Sequence, residues 1–157
     1  MIHVAIVLPI YADAIAAGRK TVEARLTRNR IAPFGAVAVG DRIYFKESSG
    51  PFVLTALAAE VEQVEGLTPR NVLNLRRRFN ERVLGSPEYW NAKSTARYAT
   101  LVTVSEVQEI AFGPDYRSDP AWRPRSAWMT LHDRACVHPA CLNPVPAVDR
   151  RRALSRR

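Results

Sequence analysis

Six stretches of this chain are spaced as β-strands are, and a chain with that many strands must dispose of their open edges. Residues 2–8 are a continuous apolar run with β-branched members, suited to a buried strand, and Pro9 ends it. Residues 20–26 and 41–46 alternate in type, with Ile43 and Phe45 set against Arg42, Tyr44 and Lys46. Further strands are expected over 52–62, 97–110 and 126–131. Two helical segments interrupt the series. Tyr11 to Ala17 is alanine-rich and closes on Gly18, which suits the left-handed residue after a helix. Thr68-Pro69 sets a capping hydroxyl before a proline at the first helical position. From there Val72, Leu75, Phe79 and Val83 recur at helical spacing, up to Gly85. The expected class is α+β: a small β-barrel with a short N-terminal helix and one longer inserted helix, because closing the sheet removes its edges.

The charge is unevenly placed. The 157 residues carry 23 Lys and Arg against 15 Asp and Glu, a net charge of +8. That balance favours acidic partners, among them nucleic acid and nucleotides. Residues 133–157 hold six Arg and two Asp, which is half of the excess. With Pro139, Pro144 and Pro146 and few large apolar side chains, this segment reads as a flexible basic tail behind one domain over 1–132. No run approaches the roughly 20 apolar residues of a membrane span. The first residues lack the basic start and small-residue cleavage site of a secretory signal. Two cysteines do not make a disulfide framework. The expected location is the cytoplasm, away from membranes.

Chemistry concentrates in Gly18-Arg19-Lys20-Thr21-Val22-Glu23-Ala24-Arg25. Three charges of both signs, Lys20, Glu23 and Arg25, follow a helix-ending glycine on a segment that should face a core. Charges there need partners, since an unpaired buried charge is very costly. The three do not share strand parity, so a bulge or a strand bend near Thr21 and Val22 is expected to bring them together. A structural ion-pair network and a ligand-binding cleft both satisfy this pattern.

The motif formed by Gly18, Lys20, Glu23 and Arg25 resembles the signature of ASCH domains, relatives of the PUA fold. The flanking Pro9 to Ile15, Gly40 to Ile43, Tyr98 to Val102 and Ser126 to Trp128 are similar to that family too, so the resemblance covers residues 2–132. It implies a PUA-like barrel whose cleft is lined by the motif, and a role in binding single-stranded RNA or a nucleotide or nucleoside. Some ASCH proteins are hydrolases, either ribonucleases or amidases acting on N4-acetylcytidine. In the amidases the position held here by Glu23 is a nucleophilic threonine activated by the lysine. This chain departs from that pattern, and the Thr21 side chain would point the other way on a strand. A hydrolase built on Lys20 and Glu23 would use Lys20 on an oxyanion or phosphate, Glu23 as general base, and Arg25 to orient Glu23 or grip a phosphate.

Other candidates are more ordinary. Tyr44 and Lys46 share parity and would face the cleft together, or form a solvated strand face. Arg70, Arg77 and Arg78 project from the inserted helix as a phosphate track or simply as its wet side. Residues 113–125 interleave Tyr116, Arg117, Trp122, Arg123 and Arg125, the mixture that stacks single-stranded bases, or else a proline-stiffened loop packed on the barrel. Ser126 and Trp128 join the site through the closing strand. No cofactor is expected. His132, Cys136, His138 and Cys141 lack the spacing of common zinc ligands, so no metal is expected either.

Overall fold

The computed structural model describes residues 1–132. Within them, β1 (Ile2–Val7) leads into α1 (Pro9–Ala16), followed by β2 (Val22–Thr27), β3 (Arg42–Glu47) and β4 (Phe52–Glu65). The helices α2 (Pro69–Val83) and α3 (Pro87–Ala92) come next, then β5 (Tyr98–Glu109), a short 3-10 turn (Tyr116–Ser118) and β6 (Trp128–Leu131). The expected tail, with Cys136, His138 and Cys141, lies outside the described residues. None of the described helices is long and apolar enough to cross a membrane.

All six strands join one sheet in the order β2-β5-β4-β3-β1-β6. The β1–β3 pair is parallel and the other pairs are antiparallel. Register shifts between Thr55 and Leu57 and between Ala58 and Glu60 bend the long β4 against β5. Such irregularities increase local twist and bend, which curls the sheet. The curl does not close through strand pairing: β2 and β6 remain the two edges. The expected barrel is therefore a half-barrel with a seam, and the class remains α+β.

Alternation along the strands sorts the core into two faces. Ala5 and Val7 of β1 with Ile43 and Phe45 of β3 pack inside the curl with Ala12 and Ile15 of α1. The intervening Val4 and Tyr44 point outward, into a cluster with Met129, Leu131 and Ile110. Phe52, Tyr116 and Trp122 pack against this outer cluster. A third cluster joins Val22, Ala24 and Leu26 of β2 to Val72, Leu75, Phe79 and Val83 of α2 and Trp90 of α3.

Gly18 ends α1 with φ +73°, as its place in the sequence predicts. The Thr68 cap is reciprocal: its hydroxyl accepts from Asn71 N at 3.3 Å, and its own N–H donates to the Asn71 side chain at 2.9 Å. At the other end α2 stops one residue before the expected glycine, with Leu84 itself left-handed at φ 60°. Gly85 is kept small by crowding, since a Cβ there would lie 2.7 Å from Trp90 Nε1 and 2.8 Å from Tyr89 Cδ1. The helix α3 was not expected, although Ser86-Pro87 repeats the cap-and-proline signal of Thr68-Pro69. The Ser86 hydroxyl accepts from Tyr89 N at 3.1 Å.

Candidate functional site

The seam of the half-barrel is where the charged motif lies. Lys20 precedes β2, which begins at Val22 and pairs with β5 without a register shift, so it meets Glu23 from outside the strand and not through a bulge. The chain leaves α1 through Gly18, and the backbone N–H of Lys20 donates to Ala14 O at 3.0 Å. The Thr21 N–H donates to Arg82 O at 3.0 Å, in the last turn of α2. Lys20 then runs back along the start of β2. Its ammonium donates to Val22 O at 2.9 Å and Val83 O at 2.7 Å, and lies 3.3 Å from Glu23 Oε2. These contacts engage all three of its donors. Lys20 is only 4% exposed, and burial lowers its pKa although the Glu23 charge works the other way.

Arg25 shares the face of Glu23 and crosses the seam. One terminal nitrogen, Nη2, is 2.8 Å from Glu23 Oε1 and donates to Ile6 O of β1 at 2.8 Å. Nη1 donates to Ala127 O, just before β6, at 3.2 Å. A side chain from one sheet edge thus ties the strands of the opposite edge, in place of strand pairing. The guanidinium also lies over Trp128, 5.6 Å from the ring centroid. Arg25 Nε is buried and has no hydrogen-bond partner among the described residues.

Beneath Trp128 lies a second polar chain. Trp128 Nε1–H donates to His3 Nδ1 at 3.3 Å, which makes that nitrogen an acceptor and leaves the proton on Nε2. Nε2–H then donates to Asp41 Oδ2 at 3.0 Å. Burial lowers the His3 pKa, and the Asp41 hydrogen bond only partly opposes it. A neutral imidazole fits both facts.

Around the motif opens a cleft of about 1060 Å³. Tyr11 and Tyr89 supply aromatic walls, Leu8, Ile31 and Pro33 an apolar side, and Ala127 and Trp128 the far edge. Tyr11 lies beside Lys20, its ring centroid 5.2 Å from the ammonium. Tyr89 donates its hydroxyl to Ala24 O at 3.3 Å, and burial raises its pKa. Among the described residues, the charged side chains lining the cleft are Lys20, Arg25, Lys93 and Arg125 against Glu23, and His132 lines it too.

Of the residues expected to form a site, Lys20, Glu23, Arg25, Arg125, Ser126 and Trp128 line this cleft. The others lie elsewhere. Thr21 stands where its backbone links α2 to β5, with Val104 N donating to Thr21 O at 2.9 Å. Tyr44 is fully buried on the outer face of β3. Lys46 closes the β3–β4 turn by donating to Glu47 O at 3.1 Å and Gly50 O at 2.5 Å. Placing those two in the cleft misjudged which face of β3 looks inward. Arg77 is exposed on α2 beside a smaller groove with Asn74 and Leu75. Its neighbour Arg78 is engaged by Glu62 through two 2.9 Å hydrogen bonds. Trp122 packs on the outer cluster, and Arg123 donates back to Pro120 O and Trp122 O in its own loop. Within 113–125, the packed-loop alternative therefore describes Trp122 and Arg123. Among the described residues, no three His, Cys, Asp or Glu side chains gather where they could hold a metal ion.

Sequence reasoning missed Tyr89, Lys93 and the 31–36 loop as parts of the site. The first two hang on α3, and the unread Ser86-Pro87 signal would have announced that helix.

The curled six-stranded sheet with its short N-terminal helix is an α+β half-barrel, and it has an ASCH-like fold. In particular, the solved ASCH protein of Zymomonas mobilis superposes with a TM-score of 0.63 at 18% identity, over 85% of this chain and 89% of that one. A tyrosine-to-phenylalanine variant of it gives 0.62 at 19% identity, over 84% and 91%. A serine-to-alanine variant gives 0.55 at 23% identity, over 69% and 70%. No family model and no curated protein matches the sequence. At these identities the likeness carries the fold and leaves the activity to the site.

Proposed function

We propose that the domain binds single-stranded RNA or a nucleotide in the cleft at the half-barrel seam. The observation that carries this reading is the make-up of the cleft: aromatic and apolar walls beside four cationic side chains and one carboxylate. A nucleotide has the matching parts, a flat base and an anion. Tyr11 and Tyr89 are the accessible aromatic surfaces, while Trp128 is 5% exposed and serves as backing. Base stacking on such rings contributes about 1–3 kcal/mol per base in single-strand binding.

Binding suits the geometry better than hydrolysis on Lys20 and Glu23. Lys20 has each donor engaged within the protein, and both oxygens of Glu23 are paired with cations. The test is titration of labelled single-stranded RNA and a nucleotide panel at low and moderate salt. Micromolar or tighter binding that weakens with salt is the expected result. No binding to any of them sinks the proposal. Chromatography of short RNAs and N4-acetylcytidine after incubation decides the alternative: products formed by wild type but not by Lys20→Ala would make the protein a hydrolase.

A further inference from the structure

We propose that the cleft holds a phosphate between Lys93 and the Nε edge of Arg25, and that the motif lysine takes no part in gripping it. This rests on the nucleotide reading above and names the contact within it.

Lys20 donates to two carbonyls and Glu23, and Arg25 uses Nη1 and Nη2 on Ala127, Ile6 and Glu23. The only carboxylate lining the cleft among the described residues is therefore already held between two cations. Two groups remain. Arg25 Nε is a buried N–H donor with no partner among the described residues, and leaving such a donor unsatisfied is costly. Lys93, at the end of α3, is half-buried in the cleft wall with its ammonium 5.7 Å from the centroid of the Tyr89 ring. It forms no ion pair among the described residues. The charged groups on the neighbouring elements are Lys20 before β2, Glu23 and Arg25 on β2 and Arg82 on α2, and among them it is the Arg25 charge that acts on Lys93. Burial first, and then the Arg25 charge, lower its pKa.

A half-buried ammonium and a guanidinium N–H without an acceptor, in a cleft whose one carboxylate among the described residues is already held by Lys20 and the Arg25 terminal nitrogen, favour an anion. A phosphate oxygen between them would supply the missing acceptor and relieve the repulsion. Arg125 also lines the cleft but is exposed, where a charge contributes less.

The experiment compares four nucleoside 5′-monophosphates with their parent nucleosides by calorimetry, on wild type, Lys93→Met and Lys93→Arg. In parallel, the Lys93 side chain is titrated by NMR with and without inorganic phosphate. Wild type is expected to prefer a monophosphate by about tenfold or more, the scale of one charge-assisted contact. Lys93→Met should lose that preference, read as the ratio of monophosphate to nucleoside affinity, and Lys93→Arg should largely keep it. Inorganic phosphate should raise the Lys93 pKa. Equal affinity for nucleoside and monophosphate, or a preference that survives Lys93→Met, overturns the subsite and leaves base binding standing. A phosphate-induced rise at Lys93 without binding of any nucleoside, nucleotide or RNA supports the subsite and removes the nucleotide reading. No rise and no binding removes both. Short RNAs with and without a 5′-phosphate then identify the source. Dependence on that group marks a terminal monoester, and independence marks the backbone diester.

Discussion

Replacing Lys20 by Met separates a structural lysine from a free, reactive one. The stem length is nearly kept, so the change removes mainly the ammonium. Its loss leaves Val22 O and Val83 O without the donors that bind them at 2.9 and 2.7 Å. Each stranded buried carbonyl costs about 1–3 kcal/mol. Val83 is the last residue of α2, so a cation is also lost from a helix C-terminus, worth about 0.3–1 kcal/mol. Glu23, 6% exposed, keeps Arg25 but loses its second cation. Set against these losses is the relief of no longer desolvating an ammonium, the same cost that lowers the Lys20 pKa. The net expectation is a destabilisation of about 2–4 kcal/mol, within the range for breaking a buried charge network. Equilibrium urea unfolding followed by tryptophan fluorescence measures it, read from the midpoint at constant m-value. A cycle with Glu23→Gln should give a coupling of about 1 kcal/mol or more. A loss below about 0.5 kcal/mol, the range of ordinary surface changes, would refute the network and return Lys20 to the cleft as a free ammonium.

His3 has a folded pKa below its ordinary 6.5, so the unfolded chain takes up a proton that the folded chain does not. Wild type should therefore lose stability as pH falls through 6.5 towards the folded value, and His3→Gln should show a flatter profile between pH 7.5 and 5.5 by urea unfolding; parallel profiles would contradict the neutral-imidazole assignment. Gly85→Ala should cost about 1–3 kcal/mol by overpacking Trp90 and Tyr89, and should weaken ligand binding because Tyr89 is a cleft wall. Unchanged thermal stability and affinity would show that the corner can yield. Thr68→Ala should cost about 1 kcal/mol by removing half of a reciprocal cap, with ligand affinity untouched, as checked by urea unfolding and titration.

What the sequence determined by itself was whatever depends on neighbours along the chain. Thr68-Pro69 started α2, Gly18 ended α1, and the apolar spacing from Val72 to Val83 chose the face that packs on β2. The strand segments were legible for the same reason, and the charges at Lys20, Glu23 and Arg25 announced that they needed partners. Partner identity was not local. Lys20 finds one acceptor two residues along, on Val22, but the other on Val83 at the end of α2, and Arg25 finds its acceptors on Ile6 and Ala127 across the curl of the sheet. Alternation along β3 showed that Tyr44 and Lys46 differ from Ile43 and Phe45, but both faces of that strand are covered. Only the packing of α1 on one side and Ile110, Met129 and Trp122 on the other decided which side Tyr44 took. Closure was decided in the same way. Local spacing specifies strands, whereas bulges between β4 and β5 set how far a sheet curls, and here it stops short of pairing β2 with β6. The gap left by that geometry is the cleft, and Arg25 crosses it because a side chain can span what backbone pairing did not.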